Sequence, residues 1–315
     1  MPQKIPGSEK LHLKDAFVKR YRELLGKDYE QFLEYSLSFL RRSIRVNTLK
    51  MSVEELKKRL ENEWTLKQVP WCSEGFWIEG ERFDIGNLPE HMLGYFHVQE
   101  AASMLPPIAL APKPGETVLD MCASPGSKTT QIAAMMKNEG VLIANDISGE
   151  RMKPLGINVQ KAGATNVVLT MSKGHRLLDS GTKFDRILVD APCSGTGTIR
   201  KSLKTLQIWN PYMIKRLAGT QKILLDTAFR CLKDEGTVVY STCSLEPEEN
   251  EAVVHSLLKK YDNANLEEFR LDIKRSPCFL EYGGEKFSPD IKKCLRIWPQ
   301  DNDTEGFFVA KIKKS

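Results

Sequence analysis

The chain has 315 residues, 41% of them hydrophobic and 28% charged, and a net charge of +5. At about 100–200 residues per domain, that length suggests one large domain and a smaller one with an ordinary core. No run approaches the roughly 18 uncharged apolar residues that a bilayer requires, and the seven cysteines, an odd number without a C-x-x-C pair, argue against a zinc site or a disulfide scaffold. The opening MPQKIPGSEKLHLKDAF lacks the apolar run of a secretory signal, so a reducing, cytoplasmic setting is expected. Residues 1–60 hold 14 Lys/Arg against 8 Asp/Glu, and Lys311, Lys313 and Lys314 cluster at the end. Basic ends around a neutral middle suit a polyanionic partner, and equally an ordinary solvated surface.

In chain order, apolar residues at helical spacing, among them Phe17, Tyr21, Leu24 and Leu25, predict a helix over 9–42. SIRVNTLK (43–50) reads as a strand. SVEELKKRLENE (52–63) reads as a helix capped by Ser52, with Glu55 three residues on. Short strands are expected near Leu66–Val69 and Phe76–Ile78, which completes a small α+β unit ending near residue 95. HVQEAASMLPPIALA predicts a helix interrupted at Pro106-Pro107, and PKPG (112–115) a turn. Strands then follow at 117–123, 141–146, 166–170, 184–192 and 236–244, with helices at 127–137, 149–163, 211–232 and 247–260. Near-continuous Val/Ile/Leu strands alternating with helices predict a doubly wound α/β sheet buried on both faces. Segments 295–300 and 306–314 predict an antiparallel hairpin on the sheet edge.

Ligands of such sheets bind at the carboxyl ends of the strands, and the unusual residues gather there. DMCASPGSKTTQ (120–131) ends the first strand and turns at Pro125-Gly126 into a helix, which lets the backbone from Cys122 through Ala123, Ser124 and Ser127 to Lys128 approach a ligand. It is not a P-loop: the glycines required six residues and one residue before Lys128 are Cys122 and Ser127. G-x-G-x-x-G is also absent. Asp146 closes the next strand, where an acidic residue holds a ribose diol or merely caps a helix, and Arg151 follows within reach. DAPCSGTG (190–197) places Asp190 and Cys193 at the end of the fourth strand, and STCS (241–244) places Cys243 at the end of the fifth. Either thiol alone reads as a buried structural cysteine. Two at neighbouring strand ends point to chemistry, and a helix expected from Pro247 would favour a Cys243 thiolate through its dipole.

DMCASPGSKTTQ, FDRILVDAPCSGTG, YSTCS and RIWPQDNDTEGFFVAKIKK, with FHVQEAAS (96–103) and SIRVNTLK, resemble the Nop/Sun family of RNA cytosine-5 methyltransferases over nearly the whole chain. The short length most resembles the archaeal tRNA-modifying members. The resemblance implies a Rossmann-like sheet of seven strands, the last pair antiparallel, over 96–315. It also implies an N-terminal RNA-binding domain over 1–95, a helical start followed by a small RRM-like α+β unit. It implies S-adenosylmethionine as cofactor at residues 122–128, Asp146, Arg151 and Asp190, with no metal, no membrane and a monomeric enzyme. Cys243 is then the nucleophile that adds to carbon 6 of the base, Cys193 assists product release, Asp190 holds or protonates the ring nitrogen, and Lys128 keeps a thiolate charged. Cys122 also reads as packing. One departure stands out: Ser172 and Lys173 occupy the place where the family carries an acidic residue near the adenine. DNA cytosine-5 enzymes use the other cysteine and carry Glu-Asn-Val, a tripeptide this chain lacks. An rRNA substrate, a non-catalytic RNA-binding factor on the same scaffold and a small-molecule methyltransferase are the competing readings.

Overall fold

The structure is a computed structural model that describes residues 2–8, 11–81 and 84–315. It begins with α1 (Asp15–Leu25) and α2 (Tyr29–Ser36), not with one long helix. Gly26, at φ 55°, ends α1 and opens a 3-10 turn over Gly26–Asp28. The expected start at residues 9–10 lies outside the described residues. Then come β1 (Ser43–Val46), α3 (Val53–Leu60), β2 (Thr65–Gln68), β3 (Gly75–Glu79), α4 (Pro89–Met92) and β4 (Phe96–Val98). These strands form an antiparallel sheet in the order β2-β3-β1-β4. The capping box at Ser52 and Glu55 is present, each side chain bonding the other's backbone N–H. Ile44, Val46, Leu56, Leu60 and Phe76 bury the small core.

Residues 97–111 are not a broken helix. After β4, a 3-10 turn (Ala102–Met104) leads into α5 (Leu105–Leu110). Pro106 and Pro107 occupy the first turn of α5, where an N–H has no intrahelical partner, so they start the helix instead of breaking it.

The large sheet follows: β5 (Thr117–Asp120), α6 (Ser127–Met135), β6 (Val141–Asp146), α7 (Gly149–Ala162), β7 (Val167–Met171) and β8 (Phe184–Asp190). Then come α8 (Lys204–Ile208), α9 (Pro211–Cys231), β9 (Leu232–Thr242), α10 (Glu251–Leu258) and β10 (Ala264–Glu267). The chain closes with the short strands β11 (Glu281–Tyr282) and β12 (Glu285–Lys286), then β13 (Leu295–Ile297), α11 (Pro299–Asn302) and β14 (Phe307–Lys314). The strand order is β10-β14-β9-β8-β5-β6-β7, with β13 also on β14. Strands β5 to β9 are parallel and β14 is antiparallel to β9. The terminal hairpin is therefore not at the edge: β14 lies between β9 and β10, pairing Lys311–Lys314 with Glu267–Ala264. Ile187, Leu188 and Val189 are wholly buried, as a strand covered on both faces requires.

The N-terminal elements lean on this sheet. Phe17, Tyr21 and Phe32 share one cluster with Trp209, Leu245 and Trp298. Arg45 of β1 donates to Gln99 Oε1 (2.8 Å) and to Thr130 Oγ1 of α6 (2.9 Å). Among the described residues, no helix is long and apolar enough to cross a membrane.

Candidate active site

The carboxyl ends of β5, β6, β8 and β9 meet in one cleft. After β5, the chain passes through Cys122, Ala123, Ser124 and Pro125 to Gly126, whose φ of 104° lets it turn into α6. Asp146 pins this loop: Oδ2 accepts from Ser124 N (3.0 Å) and Oδ1 from Ile147 N (2.7 Å) and Arg151 Nε (2.8 Å). Arg151 returns to Ser124 O (3.1 Å), so the predicted acid and base of this site are joined to each other. Cys122 packs against the sheet core, and burial pushes its thiol pKa well up. Ser172 lies beside the same strand end, its N–H donating to Asp146 O (3.1 Å) and its carbonyl accepting from Asn145 Nδ2 (3.0 Å). The place of the missing acidic residue is thus taken up by backbone contacts to β6.

Asp120 tests whether this loop fits a cofactor. Its Oδ2 accepts from Thr129 Oγ1 (2.7 Å), but Oδ1 is buried with no partner. Burial raises its pKa to about 7. An orphaned carboxylate oxygen behind a glycine turn is what a ligand bearing an N–H or cationic donor would satisfy. The residues present therefore fit an aminoacyl-nucleoside cofactor.

The reactive side chains stand at the ends of β8 and β9. Cys193 Sγ and Cys243 Sγ are 3.3 Å apart. Lys128 Nζ reaches Asp190 Oδ2 (2.8 Å) and Ser103 Oγ (2.9 Å) and lies over the Phe307 ring at 5.5 Å. Ser241 Oγ donates to the other oxygen of Asp190 (2.7 Å). Burial works against the Lys128 ammonium, but Asp190 and Cys243 outweigh it and its pKa is raised. For Cys193 the hydrogen bond to Cys243, then burial, raises the thiol pKa well above its ordinary value. The catalytic residues expected from the sequence thus form two contact pairs at these strand ends: Cys193 on Cys243, and Lys128 on Asp190.

The expected helix start near Cys243 is corrected. Residues 247–250 are turns and α10 begins only at Glu251, eight residues past Cys243, not at Pro247. The reason lies in the acidic run itself, whose side chains are drawn inward. Glu246 accepts from Arg20 Nε (2.7 Å), Tyr21 Oη (2.8 Å) and Trp209 Nε1 (2.9 Å). Glu249 accepts from Ser194 N (3.0 Å), Gln221 Nε2 (3.0 Å) and the hydroxyls of Ser194 and Ser244. Glu251 pairs with the buried Arg296, which also donates to Leu245 O (2.9 Å). Lys128 supplies the positive charge instead. Sequence reasoning took Glu249, with Glu248, for the acidic first turn of a helix and did not single out Glu246 or Glu251.

Glycine is required where the two loops cross. Gly197 N–H donates to Cys243 O (2.9 Å), and a Cβ on Gly197 would stand 2.2 Å from Gly306 O.

With this geometry in view, comparisons with known proteins agree from end to end. Residues 107–313 match the family of 16S rRNA methyltransferase RsmB/F, and residues 13–101 match the N-terminal domain of 16S rRNA methyltransferase RsmF. The chain is 45% identical to a tRNA (cytosine(49)-C(5))-methyltransferase of Pyrococcus abyssi over 94% of this chain and 95% of that one. It is 44% identical to the ribosomal RNA small subunit methyltransferase F of Vibrio parahaemolyticus over 96% of this chain, and spans 64% of that longer relative. Among solved structures, a methyltransferase homolog from Pyrococcus horikoshii superposes with a TM-score of 0.88 at 39% identity, covering 99% of this chain and 100% of the other. NSun6 from the same organism superposes at 0.84 with 25% identity, covering 96% and 98%. The chain therefore belongs to the RsmB/F family of RNA methyltransferases, the Nop/Sun group its motifs resemble.

Proposed function

We propose that this enzyme transfers a methyl group from S-adenosylmethionine to carbon 5 of a cytosine in RNA, through a covalent adduct on Cys243. The observation that carries the reading is the pair of thiols at 3.3 Å with the Lys128–Asp190 pair beside them. Carbon 5 of cytosine is a poor nucleophile until a thiolate adds at carbon 6. The target base must leave its stack to enter the cleft.

Cys243 Sγ forms the bond to carbon 6, and the ring electrons move towards the ring nitrogen, which Asp190 holds in place. Lys128, pressed between Asp190 and Cys243, stabilises the thiolate before attack. The bound cofactor supplies the methyl group, and its sulfur keeps the electrons of the broken bond. Cys193, next to Cys243, takes the proton from carbon 5. The carbon 6–sulfur bond then breaks, its electrons return to Cys243, and the aromatic ring is restored. Residues 122–128, Asp146 and Arg151 would hold S-adenosylmethionine, which would supply the methyl group.

Transfer RNA is the proposed substrate. The relative named for tRNA matches this chain over nearly the full length of both, whereas the relative named for small-subunit rRNA has about a third of its length outside the match. Ribosomal RNA is the second reading, favoured by the description of the matched family.

The test is methyl transfer from labelled S-adenosylmethionine to unfractionated tRNA and to rRNA. Wild type is expected to label cytosine carbon 5. Cys243→Ala should be inactive and form no adduct, and Cys193→Ala should accumulate a covalent RNA complex. Full activity in Cys243→Ala would overturn the nucleophile, and RNA binding without labelling by wild type would favour a non-catalytic factor.

A further inference from the structure

The cleft explains how one base is held but not how the strand around it is gripped. The 35 residues from Ala191 to Leu225 carry Arg200, Lys201, Lys204, Lys215, Arg216 and Lys222 and no Asp or Glu. That stretch alone bears +6, in a chain whose total is +5. It starts on the cysteine loop itself and runs through α8 into α9.

Position follows from topology. β8 and β9 are parallel, so α9 must run back from the carboxyl edge of the sheet to the amino edge. Its first turn therefore stands at the same edge as the two cysteines. Further along, Gln221 of α9 donates to Pro192 O (2.9 Å), which fixes the helix beside the cysteine loop. Tyr212 lies nine residues earlier, about 14 Å up the helix axis at 1.5 Å per residue. It projects past the cleft.

Tyr212, Lys215 and Arg216 are spaced i, i+3, i+4 and share one face, opposite the buried Ile214 and Ala218. Tyr212 is 86% exposed, and Ile208, four residues before it, 58%. Among the described residues, the charged groups of Lys204, Lys215 and Arg216 have no ion-pair or hydrogen-bond partner. Lys201, at the root of the stretch, faces the buried Glu305 and so leads back to Lys128 and Asp190. Several other surface cations among the described residues are paired, as Lys233 is with Asp185 and Lys260 with Asp226. An exposed aromatic ring among unpaired cations, next to a cleft that takes one base, has the chemistry of a single-strand nucleic-acid track: cations for phosphates and a ring for stacking.

We propose that α8 and the first turn of α9 form a strand-holding platform. Lys204, Lys215 and Arg216 contact RNA phosphates, and Tyr212 stacks on a base flanking the flipped cytosine. The proposal rests on the RNA methyltransferase reading and names a surface for its substrate.

The experiment measures binding of unfractionated tRNA to the full chain with cofactor, over a range of salt concentrations, together with KM and kcat. Lys204→Glu/Arg216→Glu is compared with Lys113→Glu/Lys137→Glu. The latter pair is exposed at the amino edge, before β5 and before β6, and produces the same change of net charge. The platform pair is expected to weaken RNA binding by about tenfold or more and to flatten the log–log salt slope by about 1.5, as loss of two phosphate contacts requires. Cofactor binding should be unchanged, and the loss should fall on KM for RNA. The amino-edge pair should behave as wild type. Tyr212→Ala should weaken binding by about five- to tenfold at an unchanged salt slope, and Tyr212→Phe should restore it.

Equal affinity and slope in the platform pair and wild type would overturn the proposal, as would an equal loss in the amino-edge pair, which would make the effect one of net charge. A wild-type enzyme that methylates RNA while the platform variants bind normally sinks the platform alone. A wild type with no RNA affinity at any salt concentration sinks the RNA reading and the platform together.

Discussion

Ser194 Oγ and Ser244 Oγ stand 3.0 Å apart, and each is the residue directly after one of the two cysteines. Both hydroxyls donate to the Glu249 carboxylate, which burial holds above the usual carboxylate pKa range. The two cysteine loops are thereby clamped to one buried acceptor. Glu249→Ala leaves two hydroxyls, one backbone N–H and the Gln221 amide without it. The expected cost is about 2–4 kcal/mol of stability, read as a lower urea midpoint. Single-turnover methyl transfer should fall by about a hundredfold, since small misplacements of reacting groups cost that much. Wild-type transfer in a folded Glu249→Ala enzyme would remove the clamp from the mechanism.

How much of this was legible beforehand follows from where the information lies. Strands β5, β8 and β9 announce themselves as apolar runs because both faces are covered, and the turn and cysteine motifs fall at their carboxyl ends because side chains there are freed from packing. The clamp was not legible. Ser194, Gln221, Ser244 and Glu249 are far apart in the chain, and only α9 lying against the β8 end brings Gln221 to Glu249. The place of β14 was missed for the same reason: nothing in GFFVAKIKK tells which strands will flank it. Two partners of Glu246, Arg20 and Tyr21, come from α1, more than 220 residues away.

The thiol of Cys193 gives a test by pH. Its raised pKa comes first from the hydrogen bond to Cys243, then from burial. A raised thiol pKa keeps the thiolate scarce as pH rises. Cys243→Ala removes the first cause, so the Cys193 pKa should drop and its alkylation by iodoacetamide should accelerate at a given pH. Peptide mass spectrometry of the labelled protein reads the profile, and an identical profile in both proteins would show that the two thiols do not sense each other.

Asp120 makes the opposite kind of demand. Its carboxyl titrates at about 7 when folded, against an ordinary 3.8. The folded state therefore binds the proton more tightly, and ionising this buried group costs stability progressively as pH rises from about 4 to about 7. Asp120→Asn cannot ionise. Its unfolding free energy should gain on wild type across that window, by up to about 4 kcal/mol at one kcal-scale step per pH unit. Urea melts at pH 4, 5.5 and 7 would decide it, and a constant difference would place the titration elsewhere.

Two glycines should answer the same substitution with opposite signs. Gly197→Ala drives a Cβ to 2.2 Å from Gly306 O and 2.8 Å from Cys243 O, so the backbone that carries Cys243 must move. A loss of about 3 kcal/mol and of most activity is expected. Gly219 lies on exposed α9 with nothing within 4 Å of a Cβ. Gly219→Ala should stabilise the enzyme by about 0.5–1 kcal/mol. Thermal melts and turnover assays measure both, and a tolerated Gly197→Ala would mean that the loop crossing has slack.

Arg20 and Tyr21 hold Glu246, three residues past Cys243, while Trp209 closes the same carboxylate from α8's end. The first helix is thus a keystone of the reaction centre, not a detachable handle. Lineages of this family can exchange what they attach outside the fold, but a chain that sheds α1 exposes Trp209 and Trp298 and strands a buried charge beside its own catalytic loop. Inheritance of these two segments is tied: a change at Arg20 or Tyr21 must be answered near residue 246, and the sequence record of related enzymes should carry that bond as paired substitutions.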